Sequence, residues 1–290
     1  MTEHVGVLGL GAMGGRVAEK VAAAGHDVVG FDPAPQARSR AAAAGTSVVD
    51  DAAAVVAGAD VIVVSVPKPE HVAELAGGAL LCGRPGTVVV DISTIDPATA
   101  REAAAGLARQ EICYLDAPVL GRPAGCGSWT LVTGGPQDQV ARVAPLLEST
   151  IAGRVVRIGD VGAGSVVKIL NNLMFGAINA VTAEAIHLCS RAGIDPAVFV
   201  DAVVDSGAAT VSNLFRDIGP RIAEGNHAPV FALDLLAKDN RLAADLASGA
   251  GAIAPLTELI GRINDAALAL GHGADDTSAV IHAYDEQALR

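Results

Sequence analysis

Val5-Gly6-Val7-Leu8-Gly9-Leu10-Gly11-Ala12-Met13-Gly14 carries a short apolar run into a glycine cluster, and an alanine-rich amphipathic stretch follows from Met13 to about Ala24. Residues Gly9 to Gly14 fit G-x-G-x-x-G, a pattern that an alanine-rich chain also produces by chance. The context sharpens it. The apolar run reads as a strand, the amphipathic stretch as a helix, and Gly25-His26-Asp27 as a turn. Val28-Val29-Gly30-Phe31-Asp32 reads as a second strand, ending on an acid 23 residues beyond Gly9. Strand, glycine turn, helix and acid-tipped strand form the fingerprint of a dinucleotide-binding βαβ unit. Gly9 permits the tight turn, Gly11 keeps a Cβ out of the path of a pyrophosphate, and Gly14 lets helix and strand approach. Leu10, Ala12 and Met13 complete a loop at the positive end of the helix, where backbone N–H groups can hold phosphates. Asp32 is placed to bond ribose hydroxyls and to repel a 2′-phosphate, which favours NAD over NADP. Arg38 follows about a helical turn later and keeps NADP open, although a solvated helix charge is the commoner role of such a residue.

Further along, Asp60 opens the β-branched run Val61-Ile62-Val63-Val64-Ser65-Val66, and Thr87-Val88-Val89-Val90-Asp91 repeats the pattern. Uninterrupted apolar strands are buried on both faces, as in a parallel sheet. Helical patterns lie between them, at about Gln36 to Ala44, Pro69 to Leu80 and Asp96 to Arg109. Alternating strands and helices predict an α/β Rossmann domain. After about residue 160 strand signals vanish. A single helix is predicted over about 163 to 192, and Asp195-Pro196 supplies an N-cap with proline at the first position of another. The expected organisation is a dinucleotide-binding domain over 1–161 and an all-helical domain for substrate and dimerisation over 162–290.

The 290 residues are 51% hydrophobic and 18% charged, enough to bury a substantial core and unlike a disordered chain. Only eight residues are aromatic, so Ala, Val, Leu and Ile must build that core. A net charge of −12 argues against nucleic acid as a partner. Cys82, Cys113, Cys126 and Cys189 form no CxxC, and the seven His form no HxxH pair. Buried free thiols and no metal site are expected. Ile169 to Ala183 is uncharged but spans only 15 residues and includes Asn171, Asn172 and Asn179, short of the roughly 20 apolar residues that cross a bilayer. Met1-Thr2-Glu3-His4 resembles no signal peptide. These features suggest a soluble, cytoplasmic protein with no membrane partner. The apolar faces of its helical half suggest a homodimer or homotetramer.

Lys168 and Asn172 are spaced i and i+4, which puts them on one face of the predicted long helix. Gly162 and Gly164 at its start suggest close approach of a ligand. An apolar neighbourhood disfavours a charged lysine and brings its proton equilibrium towards working pH, which suits a general acid/base at an alcohol or carbonyl oxygen. Asn172 offers an amide to fix that oxygen. Three further segments carry information: Asp91-Ile92-Ser93-Thr94-Ile95-Asp96-Pro97, Gly162-Ala163-Gly164-Ser165-Val166-Val167-Lys168-Ile169-Leu170-Asn171-Asn172, and Phe231-Ala232-Leu233-Asp234-Leu235-Leu236-Ala237-Lys238-Asp239. With the glycine loop, in order and spacing, the chain resembles the β-hydroxyacid dehydrogenases, which include 3-hydroxyisobutyrate dehydrogenase and tartronate semialdehyde reductase. The resemblance implies NAD(P)-dependent hydride transfer to or from a small 3-hydroxy acid or semialdehyde acid. It implies that Val66 and Pro67 line the adenine–ribose groove, that Thr94 contacts the nicotinamide ribose side, that Ser93 lies at the substrate, and that Lys238 reaches the cofactor. A helix cap for Thr94 and a surface charge for Lys238 are the plainer alternatives.

The chain departs from the family at one place. Where the family reads D-A-P-V-S-G-G, this chain reads Asp116-Ala117-Pro118-Val119-Leu120-Gly121-Arg122, and Trp129 stands where a glycine is usual. The resemblance makes Leu120, Gly121 and Arg122 the substrate-acid segment. Arg122 can grip a carboxylate or sulfonate with two N–H groups, and a Gly-Arg pair here also resembles the sulfolactaldehyde reductase branch. Trp129 is expected to narrow or reshape the pocket. An imine reductase of the same architecture, or a non-catalytic nucleotide-binding protein, are the rival readings; Lys168 argues against both.

Overall fold

A computed structural model describes residues 2–208, 210 and 212–284. Met1 and residues 285–290, which figure in the sequence-based expectations for the two ends of the chain, lie outside the described residues. In chain order the elements are β1 (His4–Leu8), α1 (Gly14–Ala23), β2 (Asp27–Phe31), α2 (Pro35–Ala43), β3 (Ser47–Val48), α3 (Ala52–Gly58), β4 (Val61–Val64), α4 (Pro69–Gly77), β5 (Val88–Asp91), α5 (Pro97–Ala108), β6 (Cys113–Asp116), β7 (Val119–Leu120), β8 (Trp129–Gly134), α6 (Gln137–Thr150) and β9 (Ala152–Gly159). Five helices follow: α7 (Ala163–Arg191), α8 (Pro196–Ser206), α9 (Asn213–Glu224), α10 (Leu233–Gly249) and α11 (Pro255–Ala269).

The strands form one sheet in the order β3-β2-β1-β4-β5-β6-β8-β7, with β9 beside β8. Strands β1 to β6 run parallel, in the order 3-2-1-4-5-6 of a dinucleotide-binding sheet. The β-branched runs explain the burial. Val61 and Val63 enter one core with Val5, Val7, Val88 and Val90, while Ile62 and Val64 enter the opposite core with Leu8 and Val89. A parallel strand covered on both faces must be apolar at every position. Leu8 pairs with Phe31 on one side and with Val64 on the other, so β1, β2 and β4 end level. The glycine loop after β1 thus emerges at the switch point of the sheet, between the residues that follow β2 and β4. Open α/β sheets bind ligands there.

Two compact units, Met1–Lys168 and Ile169–Arg290, divide the chain inside α7. The second has its own core of small and branched residues, including Ala180, Ala183, Ile186, Val200, Ile222 and Ala267. The N-cap at Asp195 forms as its sequence suggests, accepting the Ala197 N–H at 2.8 Å. Two expectations change. The uncharged stretch at 169–183 is part of a 29-residue helix, long and apolar enough by length and composition to cross a membrane. Yet two of its three asparagines are buried against protein, Asn172 on Asp239 and Asn179 on the Thr277 carbonyl. The thiols are not uniformly buried: Cys82 is exposed and only Cys189 is buried. Burial pushes Cys113 and Cys126 up to about 11.

Candidate functional site

The turn after β1 is closed by its own backbone. Gly9 adopts φ +92° and donates its N–H to the Phe31 carbonyl at 2.8 Å. A Cβ on Gly9 would meet the Ser65 carbonyl oxygen at 2.1 Å, and one on Gly14 would meet the Gly9 carbonyl oxygen at 1.9 Å. Gly11 differs: a Cβ there would have nothing within 4 Å. Two of the three glycines therefore serve packing, and the third borders open space. Helix α1 starts without a side-chain cap and without an acid in its first turn. Its first N–H groups and positive dipole end can hold an anion. A dinucleotide pyrophosphate fits this cradle.

Asp32 is locked to the loop. One carboxylate oxygen accepts the Leu10 N–H at 2.7 Å and the other accepts the Ala34 N–H at 2.8 Å. Each oxygen keeps a second lone pair for a hydroxyl. Arg38 is not the solvated charge expected from sequence. It donates to the carbonyls of Asp32 at 2.6 Å and Pro33 at 3.2 Å, and it lies 3.5 Å from Asp50.

The ends of β4, β5 and β6 are tied by buried acids. Asp91 accepts the Ser93 N–H at 2.8 Å and the Tyr114 hydroxyl at 2.5 Å. Burial pushes its carboxyl up, against the hydrogen bonds from Ser93 and Tyr114. Burial also pushes the Tyr114 hydroxyl well up, with the Asp91 charge adding to the effect. The Ser93 hydroxyl oxygen accepts the Val66 N–H at 2.9 Å. Ser93 thus ties the Val66–Pro67 segment to the end of β5, a positioning contact that sequence alone did not suggest. Val66 is half-buried and Pro67 exposed beside it. Thr94 is half-buried and is not a helix cap; Asp96 caps α5, accepting the N–H groups of Ala98 and Thr99.

Asp116, 1% exposed at the end of β6, accepts the N–H groups of Gly162 and Ser165, each at 2.8 Å. These are orphan donors at the start of α7, so Asp116 fastens that helix to the sheet. Burial pushes the Asp116 carboxyl up, opposed by those N–H groups. The glycines beside it pack rather than admit a ligand, contrary to expectation. A Cβ on Gly164 would lie 2.3 Å from the Val132 carbonyl oxygen, and one on Gly162 would lie 2.9 Å from Arg101. Lys168 is half-buried a turn and a half into α7, and Asn172 is buried one turn later. Asn172 donates its amide to Asp239 at 2.5 Å and accepts from Asn171 at 3.1 Å. Asp239 in turn lies 2.8 Å from the Lys238 ammonium on α10. Asp91, Asp116 and Asp239 escaped the sequence-based site. A detectable signal existed for the first two: each is a lone acid closing an apolar strand, where burial demands partners.

At the departure segment, Leu120 ends β7 half-buried, while Gly121 and Arg122 are exposed. Trp129 does not narrow a pocket. It is 1% exposed in the core with Val119, Leu131 and Ile151, and its indole N–H donates to the Arg122 carbonyl at 2.7 Å.

This sheet, with its glycine cradle at the switch point and an acid fixed beside it, defines an NAD(P)-binding oxidoreductase of the Rossmann class. The family model for the NAD binding domain of 6-phosphogluconate dehydrogenase matches residues 4–159, and that for the NAD-binding domain of NADP-dependent 3-hydroxyisobutyrate dehydrogenase matches residues 162–284. The chain belongs to the β-hydroxyacid dehydrogenase family, whose members oxidise or reduce small hydroxy acids with NAD(P). It is 36% identical to the L-threonate dehydrogenase of Cupriavidus necator, over 98% of this chain and 97% of the relative. A crystal structure of 3-hydroxyisobutyrate dehydrogenase from Salmonella typhimurium is 34% identical, covers 97% of this chain and 100% of its own, and superposes with a TM-score of 0.89. An imine reductase from Pseudomonas sp. shares only the fold, at 21% identity and a TM-score of 0.62, covering 98% of this chain and 99% of its own.

Proposed function

We propose that this dehydrogenase interconverts a short anionic 3-hydroxy acid and its semialdehyde, with NAD(H) preferred over NADP(H). The observation that carries this reading is the pair Lys168 and Asn172, one turn apart on a helix fastened to the sheet by Asp116. When bound, the nicotinamide supplies or accepts the hydride. The chain's own residues handle the oxygen. In reduction the Lys168 ammonium gives a proton to the oxygen as negative charge develops on it; in oxidation the neutral amine takes that proton back. Asp239 accepts one amide hydrogen of Asn172, which leaves the second for the substrate oxygen. Gly9 to Gly14, Asp32, Val66, Pro67 and Thr94 hold the dinucleotide, a role that Lys238 shares on the strength of the resemblance. Gly121 and Arg122 hold the acid, with Leu120 beside them and Ser93 at the substrate on the strength of the resemblance; the Ser93 hydroxyl also steadies the Val66 backbone. A division at 161/162 between cofactor and substrate domains belongs to the same reading. The names of the L-threonate and 3-hydroxyisobutyrate dehydrogenase relatives support the substrate class. Assaying NADH oxidation with a panel of carboxylate semialdehydes, a sulfonate analogue and cyclic imines tests it. Turnover is expected with an acid semialdehyde; turnover of imines alone overturns the reading.

Cofactor preference has its own test. Asp32→Ala removes a ribose acceptor, a repulsive charge and a tie to the glycine loop. NADH affinity is expected to fall about tenfold, the scale of one charge-assisted hydrogen bond, and the NAD/NADP ratio of kcat/KM to fall with it. A wild-type preference for NADPH in steady-state assays overturns the Asp32 assignment and makes Arg38 the better guide.

Truncating Arg122 to Ala is expected to raise KM for an acidic semialdehyde while leaving kcat little changed, the pattern of binding lost equally from ground and transition states. A neutral analogue should be unaffected. Equal effects on both substrates, or none on either, leave Arg122 without this role.

The same reading includes a cytoplasmic homo-oligomer. Leu170, Met174, Val181 and Leu188 are exposed on α7, the last three at seven-residue spacing along one face. Sedimentation at micromolar concentration is expected to show a dimer or larger; a monomer overturns it.

A further inference from the structure

The geometry points to Trp129 as a positioning residue that sets selectivity for the substrate's acid group by fixing the backbone of the Gly121–Arg122 turn. This rests on the reading that the turn holds the acid. The Arg122 carbonyl receives two donors, the Trp129 indole N–H at 2.7 Å and the Gly125 N–H at 2.9 Å. Both of its lone pairs are thereby engaged, and the peptide plane after Arg122 has one orientation. The indole cannot give way. It is 1% exposed and packed in a core with Val119, Leu131, Ile151 and Ala152. The ring also dictates the neighbour: a Cβ at position 121 would lie 2.5 Å from the Trp129 Cδ1 atom and 3.2 Å from its Nε1 atom. A side chain at position 121 would therefore collide with the indole. A turn that carries an exposed arginine gains selectivity when the base of that side chain is immobile, because each freedom lost on binding weakens the grip. Trp129 supplies that immobility from beneath, without touching the substrate.

The test compares Trp129→Phe, Arg122→Ala and the double variant, each with an acid semialdehyde and its neutral analogue. Trp129→Phe keeps the aromatic bulk and loses the N–H. It is expected to raise KM for the acid about fivefold, with kcat within about twofold and KM for the neutral analogue unchanged. In the Arg122→Ala background the same change should cost clearly less acid selectivity than in wild type, the remainder coming through the Gly121 backbone. Equal effects on both substrates, or fully multiplicative effects in the double variant, overturn the inference. Loss of selectivity in Arg122→Ala but not in Trp129→Phe sinks this inference alone. No change in Arg122→Ala sinks the acid-site reading and this inference with it. A second measurement does not depend on the variant's folding. Trp129 is the chain's single tryptophan, so its emission reports on this turn. Titrating the hydroxy acid into the NADH-bound wild type, a pair that cannot turn over, should change that emission saturably, and the change should vanish in Arg122→Ala. An unchanged emission at saturating acid overturns the proposal.

Discussion

Lys168→Ala is expected to lower kcat by about 10²–10⁴, the usual worth of a positioned general acid/base. NADH affinity should hold, because the lysine is assigned to the substrate oxygen. Circular dichroism and a melting curve of the variant, read beside the kinetics, separate loss of chemistry from loss of fold. The loss should appear in kcat and kcat/KM together, as expected of an interaction made in the transition state. Near-normal turnover in single-turnover measurements removes Lys168 from the mechanism.

The second large effect separates two glycines of one motif. Gly14→Ala places a methyl group 1.9 Å from the Gly9 carbonyl oxygen, which is backbone and cannot swing aside. Helix α1 must move off β1, at a cost of about 1–3 kcal/mol, and the melting temperature should fall by several degrees. Gly11→Ala meets nothing within 4 Å. Its thermal stability should match wild type, while NADH affinity falls sharply because the methyl occupies the approach of the pyrophosphate. Calorimetry and a fluorescence titration with NADH read the two quantities. Equal destabilisation by both substitutions contradicts the division of labour between packing and binding glycines.

The fold class was legible because its signals are local. The β-branched runs at 61–64 and 88–90 require two covered faces, and the glycine loop sits between a strand and a helix within about thirty residues. The short strand Ser47–Val48 and the helix Ala52–Gly58 were not legible, since two and seven residues carry too little periodicity. The i, i+4 pairing of Lys168 and Asn172 needed only the helical repeat. What those residues lean on did not appear, because it comes from strands and helices far along the chain. Asp116 reaches residues 162 and 165 across 46 and 49 positions, and Asp239 reaches Asn172 across 67. The glycines at 162 and 164 illustrate the same limit. A glycine pair has the same letters whether it admits a ligand or a neighbouring group, and only Arg101 and Pro97 against Gly162 and the Val132 and Asp116 backbone against Gly164 show which.

Trp129 and Arg38 mark the boundary most sharply. From the sequence, Trp129 was a bulky residue in a glycine's place and Arg38 a surface charge. The order of strands turns the indole under the turn it was expected to crowd, and the end of β2 offers Arg38 two carbonyls in place of water. The sequence by itself determined the sheet, the dinucleotide cradle and the helix that carries the proposed proton donor, because periodicity and glycine spacing act over a few residues. Tertiary structure alone decided which buried acids hold that helix and which way Trp129 faces, because a buried polar group takes its partner from whatever the fold brings within 3 Å.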